Sequence, residues 1–432
     1  MIEDSEMHDN IRFIFTAMLA MFLSGPQNCL AVEIPSAAPS TGPSTGPSTG
    51  ISGEIKIVSS LPRTGSANSQ STSIVNGIKL AIEEMIPKLP GLKIIYEDWD
   101  DASAERGAWD PVLEAANADR AIRDPRVMAL IGPYNSGAAK ISIPKTNAAG
   151  LLQVSPSATW PGLTKPGIGE ANEPAVYRPS GKRNFFRVVP ADDIQGLVAA
   201  QWAAQSLNVK TAYVLHDREL YGKGVAEIFR RSAPANGIKV LEFEGIDPKA
   251  SNYRSLATKI RQRNPDLVYL GATTQTNAGQ LAKDLRSSGV TAKLMVPDGC
   301  FEQAFIQSAG AENLNGVTFI TFGGVPAEQL TGSGKQFYDA YEKKYGLAPE
   351  SYSVYGYEAA RVVLVAISRA KKLERSAIIE AVGALKDFEG ALGRWYFDEN
   401  GDTSLTTMSG NIVEGGQFKF SKLLGAHNEQ SK

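Results

Sequence analysis

The residues of this sequence best suited to holding a polar molecule lie in two hydroxyl-rich turns. The first, Asn135, Ser136 and Gly137, follows the apolar run Val127 to Ile131 and the breakers Gly132 and Pro133. The second, Ser155, Pro156, Ser157, Ala158 and Thr159, follows the apolar run Leu151 to Val154. Small polar side chains ahead of a helix satisfy its free N-H groups, and the same hydroxyls and N-H groups attract an anion. Neither turn carries a strong base, so the chemistry they offer is binding and not attack.

Reactive groups elsewhere are few. Of the three histidines, His8 and His427 lie near the chain ends and His216 follows the strand-like run TAYVL; beside Asp217 it is read as a hydrogen-bonded strand-end residue and not as a general base. One histidine and one cysteine within the body make no zinc set. The segment Gly332, Ser333, Gly334, Lys335 lacks the first glycine of a phosphate-binding loop, where Gln329 stands, and has Gln336 where Ser or Thr is needed. Asp100 and Asp101 are expected in a solvated turn. No cofactor and no metal is called for. The 44 basic and 46 acidic residues nearly cancel, which leaves no electrostatic footprint for nucleic acid.

The elements that must position the two turns follow from periodicity. Residues 1–31 hold the apolar segment Phe13 to Leu23, shorter than a bilayer span and preceded by Arg12, as in an export signal. Cleavage after Ala31 is expected, with Cys29 as an alternative point of lipid attachment. Residues 32–53 include three copies of Pro-Ser-Thr-Gly, a composition that buries no core and serves as a tether. From Glu54 onward, strands and helices alternate. Ile74, Ile78, Ile82 and Ile86 mark one helix face, and the β-α-β order implies parallel sheets covered by helices. The alternation breaks between Lys165 and Arg183, an expected surface excursion, and restarts with Phe185 to Val189, so two sheets of the same kind are expected. Beyond Phe420 no motif is found, and residues 421–432 are expected to form a polar tail. In such sheets ligands bind at the carboxyl ends of the strands, where both turns fall.

Four segments, GPYNSG from Gly132, SPSATWPGLT from Ser155, VLHDRELYGKG from Val214 and VPDG from Val296, taken in order, resemble the type I periplasmic solute-binding proteins. Within that family the resemblance is to the leucine/isoleucine/valine-binding proteins of ABC importers. It implies two Rossmann-like lobes joined by a multi-crossing hinge, with residues 54–188 and 325–390 in lobe one and 189–324 and 391–420 in lobe two. It also implies an exported, periplasmic or extracytoplasmic protein that delivers an amino acid or similar small polar solute to ABC permease subunits. Carried over, Ser136, Ser157 and Thr159 would hold the carboxylate and ammonium, Asp298 would pair with the ammonium, and Tyr221 would close over the ligand. Three positions depart from the family. Asp298 stands where Glu is usual, Thr273 with Thr274 where an aromatic is expected, and Gln70 where a first-lobe aromatic is common. A more polar or larger ligand than leucine fits these departures. Trp160 either faces the ligand or packs in the lobe, and packing is favoured. On the same fold, a sensing role or the binding of amides, urea or aromatic acids stays open.

Overall fold

The structure, a computed structural model, describes residues 52–425. The export-signal segment, Cys29, nearly all of the tether and the end of the polar tail lie outside them. The first elements are β1 (Gly53–Leu61), α1 (Asn68–Met85), β2 (Leu92–Asp100), the hairpin β3 (Ala102–Ser103) and β4 (Ala108–Trp109), α2 (Pro111–Arg123) and β5 (Val127–Ile131). They are followed by α3 (Ser136–Ala148), β6 (Leu152–Ser155) and β7 (Phe185–Arg187). A sheet of order β2-β1-β5-β6-β7 results, parallel throughout. β5 is buried at every position, which is why it reads as an unbroken apolar run: helices cover both faces of the sheet.

Beyond β7 the chain builds a second sheet. α4 (Asp192–Gln205), β8 (Thr211–His216), α5 (Leu220–Ser232), β9 (Lys239–Gly245), α6 (Arg254–Arg263) and β10 (Leu267–Gly271) come next. α7 (Ala278–Ser287), β11 (Lys293–Val296), α8 (Gln303–Ala309) and β12 (Thr318–Gly323) continue the alternation. The helices α9 (Ser333–Tyr345), α10 (Ser353–Arg369) and α11 (Arg375–Gly383) then return to the first sheet, α10 packing along α1 and α11 against β5 and β6. After the hairpin β13 (Phe388–Gly390) and β14 (Gly393–Trp395), the chain ends in β15 (Met408–Glu414) and β16 (Gln417–Leu424). The second sheet has the order β16-β15-β12-β11-β10-β8-β9. The chain therefore passes between the sheets after β7, after β12 and between β14 and β15, giving two α/β lobes.

Three expectations need correction. The second sheet is mixed, because β15 runs antiparallel to β12 and β16 antiparallel to β15. The chain past Phe420 continues in β16 as far as Leu424; it is an edge strand exposed at most positions, so polar residues conceal it. Asp101 is not in a solvated turn but fully buried, and burial together with the neighbouring Glu114 holds its carboxyl well above its ordinary range. In the Lys165 to Arg183 excursion, Glu173 and Tyr177 are buried and hydrogen-bonded to each other, which anchors that segment to the lobe.

The α1–α10 contact depends on glycine. A Cβ at Gly77 would overlap the carbonyl oxygen of Ser353, and one at Gly356 would lie 2.5 Å from that of Ile74. Backbone meets backbone there, and no flexible side chain can give way. Gly77→Ala is expected to cost about 1–3 kcal/mol through overpacking, read as a lower denaturant midpoint; an unchanged midpoint would contradict this packing.

Candidate functional site

The turns after five parallel strands converge between the lobes. From the first sheet come the β5 turn, carrying Tyr134, Asn135 and Ser136, and the β6 turn, carrying Ser157. From the second come the β10 turn with Thr273, the β11 turn with Asp298 and Gly299, and the segment after β8 that leads into Tyr221 of α5. Tyr352, at the start of α10, joins them. Together they line a small cavity between the lobes. Each of the named side chains is buried, so the cleft is closed.

Asp298 is the charged group of this cavity, and its surroundings are unusual. Tyr221 donates its hydroxyl to Oδ1, and Tyr352 donates to Oδ2 at 2.5 Å. The backbone N-H of Asp298 donates to Gln195 Oε1 at 3.0 Å, and Thr321 donates to the same oxygen at 3.1 Å. None of the donors to the Asp298 carboxyl is a lysine or arginine. Burial raises the pKa of Asp298 despite those hydrogen bonds. Asp192 lies within electrostatic reach and is raised well above its ordinary value, first by burial and then by the charge of Asp298. Asp192 also feels the charge of Arg187, which lowers it in part, but neither acid accepts a hydrogen bond from a basic side chain, an arrangement that favours an incoming cation at Asp298.

The hydroxyl turn is held from behind. Ser155 donates to Pro133 O at 2.8 Å and accepts from the N-H groups of Ser157 at 3.2 Å and Ala158 at 2.8 Å. Ser157 donates to Tyr134 O at 3.1 Å, and Ser136 accepts from Trp160 N at 3.1 Å. Arg187, fully buried, donates to Ala158 O at 3.1 Å and Trp160 O at 2.8 Å, and its Nε to Asp402 Oδ1 at 2.8 Å. Burial would raise the Asp402 carboxyl, but Arg187 and Lys165 overcome this and hold it below the ordinary range. One ion pair therefore fixes the turn from inside the lobe.

Of the residues singled out from the sequence, Ser136, Ser157, Tyr221, Thr273 and Asp298 line the cavity. Thr159 and Gln70 do not. Thr159 is fully buried with its hydroxyl toward Asp192. Gln70 bridges Phe301 O and Tyr352 N, each at 3.4 Å. Trp160 packs, as favoured, but across the lobes: a Cβ at Gly224 of α5 would collide with its ring, and its Nε1 donates to Glu173 at 2.9 Å. His216 is buried at a strand end, where Nδ1 accepts from Arg218 N at 3.1 Å and burial lowers its pKa. Sequence reasoning missed Tyr134 and Tyr352 as lining residues. The first stands inside GPYNSG; the second, far along the chain, has no local signal. Among the described residues no group of three or more His, Cys, Asp or Glu could hold a metal, and no helix is long and apolar enough to cross a membrane.

Two α/β lobes that close on a buried polar cavity at the carboxyl ends of their strands define a cleft-binding protein. The chain belongs to the periplasmic binding protein family, whose model matches residues 54–415. Membership goes with an extracytoplasmic location. The chain is 27% identical over 342 residues to a Leu/Ile/Val-binding protein of Rhizobium johnstonii, covering 77% of this chain and 84% of that one. It is also similar in structure to a leucine-binding protein of Thermotoga maritima, with TM-score 0.75, 25% identity and coverage of 86% and 99%. The substrate-binding protein of a branched-chain amino acid transporter of Streptococcus pneumoniae, in complex with isoleucine, shares the fold with TM-score 0.73, 23% identity and coverage of 86% and 99%.

Two expectations rest on the electrostatics. Arg187→Met leaves the buried Asp402 with Lys165, at 3.6 Å, as its remaining counter-charge, and a loss of about 3 kcal/mol is expected in denaturant unfolding; wild-type stability would show that the pair does not fix the turn. Burial also raises Asp217 from 3.8 to about 7 and Glu302 from 4.5 to about 8. The folded state therefore keeps protons that the unfolded state has released. The stabilisation is complete below about pH 4 and is lost as pH rises through 7 to 8. Unliganded protein is expected to be less stable at pH 8 than at pH 5, with a smaller difference in Glu302→Gln; a flat profile, or one that rises with pH, would contradict this.

Proposed function

We propose that this chain is an extracytoplasmic substrate-binding protein of an ABC importer that closes its lobes over an α-amino acid and delivers it to the permease. The observation that carries the proposal is Asp298, a buried carboxyl at a cavity, held by hydroxyls from both lobes and by no basic side chain among its donors. A ligand ammonium supplies the missing charge, and an unpaired buried carboxylate costs several kcal/mol without it. The ligand carboxylate is placed at the start of α3 by Ser136 and Ser157, where helix N-H groups and hydroxyls favour an anion. Tyr221 and Thr273 complete the contacts. Thr159 acts through Asp192, and Gln70 through Tyr352 and Phe301, as positioning residues. The names of the leucine- and branched-chain-binding relatives support a zwitterionic ligand. No strong base stands in the site, which favours binding without turnover.

In the same proposal, residues 1–31 direct export, with Cys29 as the lipid-bearing residue if cleavage does not fall after Ala31, and residues 32–53 form the tether. The lobes divide as 54–188 with the segment from 325 through Asp402, and 189–324 with β15 and β16; the third crossing thus falls between β14 and β15 and not at residue 390, which lies inside the β13–β14 hairpin. Ligand stabilises the closed form over the open one, and the permease reads closure. Asp298→Asn keeps the shape and a hydrogen-bonding group for the tyrosines but removes the charge. Calorimetric titration with the bound amino acid is expected to show about a hundredfold weaker binding or worse. Unchanged affinity would remove Asp298 from the ligand.

A further inference from the structure

We infer that the amino acid taken by this cleft carries a side-chain carboxamide, and that Gln275 and Asn135 are the groups that recognise it. The inference rests on the assignment of the ligand ammonium to Asp298 and extends it to the far end of the ligand. The cavity beside Asp298 adjoins a second small compartment across the shared walls Asn135, Ser136, Tyr221 and Thr273. One wall is flat and apolar: the Trp109 indole lies so close to the first turn of α3 that a Cβ at Gly137 would come within 2.5 Å of it. The opposite wall is the turn after β10 with the start of α5.

Three polar atoms of this compartment are buried with no partner in the protein: Oδ1 of Asn135 and both Oε1 and Nε2 of Gln275. The charged groups, in contrast, are engaged. Asp217 accepts from the Thr276 hydroxyl at 2.7 Å and from Glu219 N at 3.0 Å. Arg106 faces Glu219 at 3.9 Å, from lobe one to lobe two. The unmet demand is thus neutral, two acceptor oxygens and one NH₂ donor. A primary carboxamide has the matching inventory, two N-H donors and a carbonyl acceptor, and its planar group suits a slot walled by an indole. A branched aliphatic side chain would leave all three atoms dry, and a site built to hydrogen-bond a ligand group discriminates strongly against the analogue that lacks it. A charged side chain would enter where the opposite charges are already spoken for.

The test is calorimetric titration of the purified protein with glutamine, asparagine, leucine, isoleucine, glutamate and arginine, repeated on Gln275→Leu. Glutamine or asparagine is expected to bind at least about tenfold more tightly than leucine. In Gln275→Leu that preference is expected to collapse while leucine still binds within a few-fold of its wild-type affinity, which also reports an intact fold. Leucine or isoleucine binding as tightly as both amides, or a preference for glutamate or arginine, would overturn the carboxamide and leave the ammonium at Asp298 standing. A variant that keeps the full amide preference would overturn the role of Gln275. Silence toward all of these amino acids would instead overturn the Asp298 assignment and, with it, this inference.

Discussion

The carboxyl of Asp298 sits where the two lobes meet, taking one hydrogen bond from Tyr221 on α5 and another from Tyr352 at the start of α10, the latter at 2.5 Å. Hydroxyl donors offset only part of the cost of removing a carboxylate from water. What they leave uncompensated is a demand for positive charge that is felt only when the lobes are together, because only then is Asp298 shielded on both sides. A cationic group on the ligand therefore gains more from the closed arrangement than from an open one. That differential is the physical requirement for a ligand to drive closure. In the proposed function, binding and conformational signal would both follow from burying the same carboxyl.

The rest of the molecule keeps that carboxyl and its facing turns in register. Parallel strands deliver each turn at its carboxyl end, so residues distant in sequence arrive on one side of each sheet. Arg187 and Asp402, a buried pair, tie the Ala158 to Trp160 segment to β7. Gln195 orients the Asp298 backbone from α4, and α4 begins where the chain has just crossed from the first lobe. Aromatic contacts continue across the junction: Tyr352 lies 5.9 Å from Tyr134 and 5.4 Å from Phe322, and Phe322 lies 5.0 Å from Phe301. These contacts join the interiors of the two lobes into one apolar cluster.

Much of this was legible in the sequence where local chemistry determines local structure. The buried run of β5, the isoleucine face of α1 and the hydroxyl turns after β5 and β6 all follow from period and turn residues, and the repeated β-α order implies the two sheets. What escaped was set by tertiary context. The edge strand β16 is mostly solvent-exposed and so has no apolar signature, and α8, at seven residues, is too short to show a helical period. Asp101 looks like a turn residue in sequence, and only packing against Glu114 reveals a buried acid. Ser136, Ser157, Tyr221, Thr273 and Asp298 line the cavity, and each sits in or beside a strand-end motif that is legible in the sequence. Tyr352 begins a helix of the returning segment, and its meeting with Asp298 is a product of chain crossing that no local pattern encodes. Thr159 and Gln70 do not line the cavity, since sequence locates the turn but not which hydroxyl or amide faces it.

The central claim, that Asp298 exists to pair with a ligand ammonium, is tested most directly by removing that ammonium and nothing else. An α-amino acid that binds the protein and the α-keto acid of the same carbon skeleton should be titrated side by side by calorimetry. The account predicts that the keto acid binds at least about a hundredfold more weakly, since it brings a carboxylate but leaves the buried acid without its counter-charge. Equal affinity for the two would contradict it and would make the cleft a carboxylate site in which Asp298 has no part in recognition.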